Sequence, residues 1–358
     1  MNSKNLIHRV LEFDHPPRIG LDFNPPHASD LVVRPVTRFA QSPLSAWGRH
    51  AGLLRRVPGF NGDVMQDPYG VIFGRLDYYS KGEPVKGPLE DGWEALESYR
   101  LPEIIPLPAP ANDPDADKFI LGQIGSPFSI LRSLRRMDQL FLDLYDAPEQ
   151  VIRLGDMVQA YCAEQIACAA RAACDGVVIY DDWGTQSALL ISPRLWRQFF
   201  LPIYAHLISA AHAVGLKFFM HSCGYVHAII APLIAAGVDA FNFDQPELVG
   251  VARLAAEFGG KVTFWCPVDI QKVMPRGERN LIEASAREMV RGFGARGGGF
   301  IAKDYPQLEA IAVKEAWAQW ARDIFISEGD QLFNLSHELR NSITAEELYR
   351  ASRRDLEE

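Results

Sequence analysis

From Lys118 onward the chain repeats one pattern: a short apolar run closes on polar residues and is followed by a longer segment of helical periodicity. The runs at 119–125, 176–182, 216–222, 238–244, 261–266 and 299–304 predict six strands. The segments 127–145, 149–173, 192–212, 226–236, 247–258, 280–293 and 314–327 predict helices. Ser192-Pro193 supplies an N-cap and a first-turn proline for one of them, which stops near Gly215. Strands that are apolar on both faces belong in a parallel sheet that helices cover on both sides. Periodicity alone allows a barrel or an open doubly wound sheet. Strand number and length favour an α/β fold of the (β/α)8 TIM barrel type.

Before residue 118 the pattern is weaker. Residues 4–13 predict a short helix and 18–23 the opening strand. Residues 24–62 are irregular, 67–75 reads as a turn and β segment of a hairpin, and 82–117 as a surface connection rich in proline and acids. The chain is expected to form one barrel domain over 1–329, with an N-terminal insertion over 24–117, and a partly helical appendage over 330–358. In the appendage, Ile343-Thr344-Ala345-Glu346-Glu347-Leu348 has the form of a capping box with a hydrophobic staple.

Charge narrows the partners. The 358 residues carry a formal charge of −9 and no dense Lys/Arg run, so no nucleic-acid partner is expected. No stretch is long and apolar enough to span a bilayer, and Met1-Asn2-Ser3-Lys4-Asn5 lacks the apolar core of a signal peptide, so a cytoplasmic protein without a membrane partner is expected. A homodimer is left open. Five cysteines do not suggest a disulfide framework; Cys162, Cys168 and Cys174 fall in a helical, alanine-rich segment and read as small core residues.

The other two cysteines close apolar strands. In Lys217-Phe218-Phe219-Met220-His221-Ser222-Cys223-Gly224, packing accounts for the run but not for the His-x-Cys at its end. Alternate strand residues share a face, so His221 and Cys223 point the same way. Cys266 offers a third soft ligand from another strand end, and N, S and S donors suit zinc. Asp182 or Asp244 could occupy the fourth position until substrate displaces it.

The remaining strand ends read Gln123, Asp181-Asp182, Asp244, Asp269 and Lys303-Asp304, so polar groups gather where a barrel carries its active site. Gly292-Phe293-Gly294-Ala295-Arg296-Gly297 matches a dinucleotide fingerprint as a string. It follows a helix and precedes a strand, the wrong order for holding a pyrophosphate, and reads as a loop.

Several segments together resemble the uroporphyrinogen decarboxylase superfamily, and within it the methyltransferase-like branch of cobalamin-dependent methyltransferases and corrinoid-linked demethylases. They are Tyr180-Asp181-Asp182-Trp183-Gly184-Thr185-Gln186, His221-Ser222-Cys223-Gly224, Gly237-Val238-Asp239 and Phe264-Trp265-Cys266-Pro267-Val268-Asp269-Ile270-Gln271, with Asp67-Pro68-Tyr69-Gly70-Val71 earlier. The resemblance implies a (β/α)8 barrel whose methyltransferase members bind zinc through a His-x-Cys and a later cysteine. His221 and Cys223 match the first two positions. Phe300-Ile301-Ala302-Lys303-Asp304 has no cysteine at the family's last position, and Cys266 is taken in its place.

Zinc would hold a thiol as thiolate or polarise a methyl ether or amine. Asp182 or Asp244 would orient or deprotonate the incoming group, and Tyr180 and Trp183 would form an apolar wall, with Gln123 and Lys303 also contacting substrate. The implied reaction moves a methyl group between a small methylated substrate and a corrinoid. Since the chain shows no cobalamin-binding segment of its own, the corrinoid is expected on a partner protein. The decarboxylases bind tetrapyrrole carboxylates through an arginine-rich N-terminal motif. Residues 18–30 hold one arginine, so a metal-free carboxy-lyase is the weaker alternative, beside a non-catalytic barrel used as a binding subunit.

Overall fold

The computed structural model describes residues 1–40, 42–78 and 80–334. Eight strands make one sheet: β1 (Gly20–Asp22), β2 (Leu31–Pro35), β3 (Phe119–Gln123), β4 (Gly176–Tyr180), β5 (Lys217–His221), β6 (Ala240–Asn242), β7 (Thr263–Cys266) and β8 (Phe300–Lys303). Their order is β1-β8-β7-β6-β5-β4-β3-β2, and every neighbouring pair is parallel. The edge strands β1 and β2 follow each other with no helix between them. Residues 28–30 span the seam instead: Asp30 N donates to Leu21 O (2.7 Å) and Phe119 N to Asp30 O (2.9 Å). The result is a nearly closed α/β barrel, as expected, with one barrel strand more in the N-terminal region than the sequence pattern suggests.

Helix α1 (Ser3–Leu11) closes the N-terminal end of the barrel, bonding residues just ahead of two strands (Lys4 N to Asp117 O, 2.8 Å; Gly299 N to Val10 O, 2.9 Å). Its buried Ile7, Val10 and Leu11 pack with the inward side chains Leu31, Phe119, Leu121, Val178, Phe219, Ala240, Trp265 and Ile301. The alternate residues of the same strands, such as Val177, Ile179, Phe218, Met220, Phe264, Cys266 and Ala302, belong to the larger core between sheet and helices. Period-two alternation thus assigns each strand residue to the barrel interior or to the helix layer.

That outer layer is built from α2 (Pro127–Arg135), α3 (Met137–Asp146), α4 (Pro148–Arg171), α5 (Pro193–Phe199), α6 (Leu201–Ala213), α7 (His227–Ala236), α8 (Val251–Phe258), α9 (Arg279–Gly294) and α10 (Glu315–Asn334). Ser192 caps α5 as its sequence suggests, its Oγ accepting from Leu195 N at 3.3 Å. The helix expected over 192–212 breaks at Phe200, where Pro202 opens a second helix.

Helix α10 continues past residue 329, and the capping box expected at 343–348 lies outside the described residues. The insertion carries a three-stranded antiparallel sheet (Asp63–Gln66, Ile72–Arg75, Glu83–Lys86), so the expected hairpin gains a third strand. Among the described residues, no helix is long and apolar enough to cross a membrane.

Candidate metal centre

Strand alternation places His221 inside the barrel in the layer above Phe219, and Cys223 follows two residues on. The chain beyond β4 and the chain beyond β5 then run side by side. Gly184 N donates to Cys223 O (3.0 Å) and Tyr225 N to Thr185 O (2.7 Å). They lie too close for side chains: a Cβ on Gly184 would stand 2.5 Å from the Gly224 carbonyl carbon, and Gly224 has a φ of 85°, where glycine is at ease. This pairing brings Asp182 to Cys223, whose N–H donates to Asp182 Oδ1 at 2.8 Å.

One ligand atom each from Asp182, His221 and Cys223 lies within 4.8 Å of the others. His221 Nε2 is 3.2 Å from Cys223 Sγ and 3.4 Å from Asp182 Oδ1. Around a tetrahedral zinc, bonds of about 2.0–2.3 Å separate N and S ligands by about 3.6 Å and N and O ligands by about 3.4 Å. The two distances from His221 Nε2 therefore match a zinc ion to within a few tenths of an ångström, and a three-donor set leaves one coordination position for substrate. Two of the three atoms are nitrogen and sulfur, which disfavours magnesium and calcium.

The histidine is also oriented for the task. Asn242 Nδ2 donates to Trp265 O at 2.5 Å, and since a carbonyl only accepts, Asn242 Oδ1 must face the other way. That oxygen accepts from His221 Nδ1 at 2.6 Å and directs Nε2 at Cys223 and Asp182. A metal-binding histidine is commonly held through its other nitrogen in this way.

Burial opposes the charged imidazolium. Hydrogen bonds to Asp182 and Cys223 and the charge of Asp244 overcome that and raise His221 to about 10. Burial also works to raise Asp182, yet hydrogen bonding and charge from His221 carry its half-exposed carboxylate down to about 2. The Cys223 thiol is pushed up by burial. The surroundings of Nε2 thus favour positive charge, and a dication there would be held by the same three atoms in the proton's stead.

His221 lines a cavity of about 670 Å³ in the barrel mouth, with Tyr180, Asn242, Asp244, Trp265 and Lys303. Lys303 Nζ is 3.0 Å from Asp244 Oδ1 and 5.1 Å from the centre of the Trp265 ring. Asp22 Oδ2 accepts from Trp265 Nε1 at 3.0 Å, and burial raises its pKa.

Of the residues singled out by sequence, Tyr180, Asp244 and Lys303 therefore line the mouth, and Asp182 stands with the His-x-Cys. Three do not gather there. Cys266 is fully buried in the helix layer, pushed up to about 12 by that burial, because Trp265 takes the inward position of β7 and its neighbours must face out. Asp182 offers the third ligand atom of the group in its stead.

Trp183 is likewise fully buried behind the sheet, stacked on Phe128 at 3.8 Å with its Nε1 donating to Tyr204 Oη, so it forms core and not a substrate wall. Gln123 lines a different cavity at the rim. Asn242, Asp22 and Trp265 line the mouth cavity as well. Asn242 and Asp244 are alternate residues of the run 238–244, which is the signal in the sequence that points to the former.

The model of the family described as uroporphyrinogen decarboxylase (URO-D) matches residues 113–303, which is more than half of the chain and spans β3 to β8. The chain belongs to the uroporphyrinogen decarboxylase family. No curated protein matches it. Among solved structures it is similar to a methyltransferase from Methanosarcina mazei, with 17% identity over 64% of this chain and 73% of that one and a TM-score of 0.47. It is also similar to 2,3-dimethylmalate lyase, a PEP mutase/isocitrate lyase superfamily member, with 12% identity over 100% and 96% of the two chains and a TM-score of 0.37. At these scores neither likeness bears on activity.

In this member of the uroporphyrinogen decarboxylase family, the orienting amide gives a direct test. Asn242→Ala is expected to weaken zinc binding about 10–100-fold by freeing the His221 ring, with the fold intact. Competition against a chromophoric chelator measures it, and unchanged affinity would show that the ring needs no such hold.

Proposed function

We propose that the chain is a zinc-dependent methyltransferase that moves a methyl group between a small methylated substrate (an ether, amine or thiol) and a corrinoid carried on a partner protein. The observation that carries this reading is the Asp182–His221–Cys223 cluster at the barrel mouth, with His221 Nε2 aimed into it by Asn242. Zinc bound there supplies a Lewis acid that keeps a thiol nucleophilic at neutral pH or polarises a methyl ether or amine.

The residues around it divide the remaining work. His221 and Cys223 hold the ion, and Asp182 adds a carboxylate whose position the Cys223 N–H fixes. Tyr180 and Trp265 give the cavity its flat apolar walls, which exclude water from the methyl group. Asp244, bonded to Lys303 Nζ, orients the incoming group and accepts its proton at a carboxylate oxygen.

A cavity of about 670 Å³ suits a small substrate, so the corrinoid would be presented from outside. Carboxy-lyase action on a tetrapyrrole is the weaker reading, since Lys81, Lys118 and Lys303 are the strong cations lining the cavity and no described arginine joins them.

Methyl transfer from free methylcobalamin to a panel of thiols tests the proposal. Treatment with a chelator is expected to abolish the rate, and added zinc to restore it. Equal rates before and after removal of the metal would overturn the reading.

A further inference from the structure

A second cavity, of about 410 Å³, lies at the barrel rim beneath the turn of the insertion sheet, and its lining shares no residue with the mouth cavity. Its floor holds Gln165, a side chain of α4 that is 2% exposed. Gln165 Oε1 accepts from Gly125 N at 2.8 Å, and because an N–H must meet the oxygen, the amide cannot be turned round. Nε2 is therefore fixed on the other side, and it is buried with no hydrogen-bond partner among the described residues. A buried donor left unpaired is costly, so a donor held in this orientation calls for an acceptor from outside the chain.

The opposite side is formed by the turn. Asp67 Oδ1 accepts from Val71 N at 2.9 Å, and the N–H groups of Tyr69 and Gly70 also turn toward the carboxylate, whose remaining lone pairs face a ligand. Burial raises Asp67 to about 6. The turn is set before any ligand arrives: Gln66 Nε2 donates to Gly70 O at 3.0 Å, and Tyr99 Oη to Tyr69 O at 2.9 Å. Phe39 and Tyr69, packed edge to face at 5.6 Å, and Ile124 and Ile130 supply apolar surface. No lysine, arginine or histidine lines the cavity and one acid does, so an anion has no counter-charge there. A cation would face the Gln165 donor.

We propose that this rim cavity binds a small, neutral, flat molecule carrying a carbonyl oxygen beside an N–H or O–H. The carbonyl accepts from Gln165 Nε2, the N–H or O–H donates to Asp67, and the ring lies against Phe39, Tyr69, Ile124 and Ile130. This site is independent of the metal centre and of the methyl-transfer reading.

Benzamide is the probe, titrated into the full chain by ligand-observed NMR, with benzoate and toluene as partners of the same ring. Benzamide is expected to saturate and to bind at least about tenfold more tightly than either. Gln165→Glu keeps an oxygen for Gly125 N and removes the donor, and should cost about tenfold in benzamide affinity.

Asp67→Asn keeps the acceptor for Val71 N in a partly buried turn outside the barrel core, so it gives a second readout should the Gln165 variant misfold. It should weaken benzamide and leave toluene unchanged. Benzoate or toluene binding as tightly as benzamide, no saturation below roughly 10 mM, or benzamide affinity unchanged in the variants would each overturn the proposal.

Discussion

Replacing His221 by alanine is expected to remove zinc from the purified chain, while Cys266→Ser should leave it loaded. His221 is the donor that both other candidates meet: its Nε2 lies 3.2 Å from Cys223 Sγ and 3.4 Å from Asp182 Oδ1. Losing a ligand outright should exceed the roughly 10–100-fold loss that follows from disturbing a ligand's support. Cys266 is buried in the helix layer, so its substitution should act on stability alone, by about 1–3 kcal/mol for a hydroxyl placed among apolar neighbours. Metal content by atomic emission, taken with chelator competition, separates the two variants. A zinc-free Cys266→Ser protein, or a fully loaded His221→Ala protein, would mean that the centre lies elsewhere.

Asp181→Ala should be the most destabilising change near the site, although Asp181 touches no ligand. The carboxylate is fully buried and accepts from Phe128 N (2.9 Å), Ser129 N (2.8 Å) and Tyr204 Oη (2.8 Å). The first two are orphan donors at the N-terminus of α2, so Asp181 caps a helix from a neighbouring strand end. Alanine would leave three buried donors unpaired, at a cost of about 3–4 kcal/mol once partial relaxation is allowed for. Asp181→Asn retains one acceptor oxygen and should lose less. Urea unfolding measures both. A loss below about 1 kcal/mol for alanine would show that α2 does not depend on this cap.

The barrel was legible where strands are long and apolar. All six later strands lie within the runs read from the sequence, because a strand covered by helices on both sides needs such a run. The same property hides which way a strand faces. With apolar residues on both faces, the alternation in Phe264-Trp265-Cys266 fits either phase, and a shift of one residue sends Cys266 inward or outward. Packing decides it, through Trp265 filling the interior and bonding Asp22.

Strand β2 escaped notice for another reason. Leu-Val-Val-Arg-Pro is short, only its first residue is fully buried, and proline and histidine surround it. Asp181 and Asp269 looked like chemistry because they end strands, yet both carboxylates are occupied by backbone N–H groups. A strand-end position tells where a polar group is, and only its hydrogen bonds tell whether it is free to react.

The close pairing of the chain at Gly184 and Gly224 bears on how the centre acquires its metal. Those backbones are joined by main-chain hydrogen bonds, so Asp182 and Cys223 are brought together as the barrel folds. In small zinc domains the ion organises the chain, and removing it unfolds them. Here the three candidate ligand atoms are preorganised by the barrel, and a bound zinc ion would add stability by mass action, growing with the logarithm of its free concentration. A zinc ion at this centre would then leave and return without unfolding the chain, and its occupancy would follow the free zinc concentration.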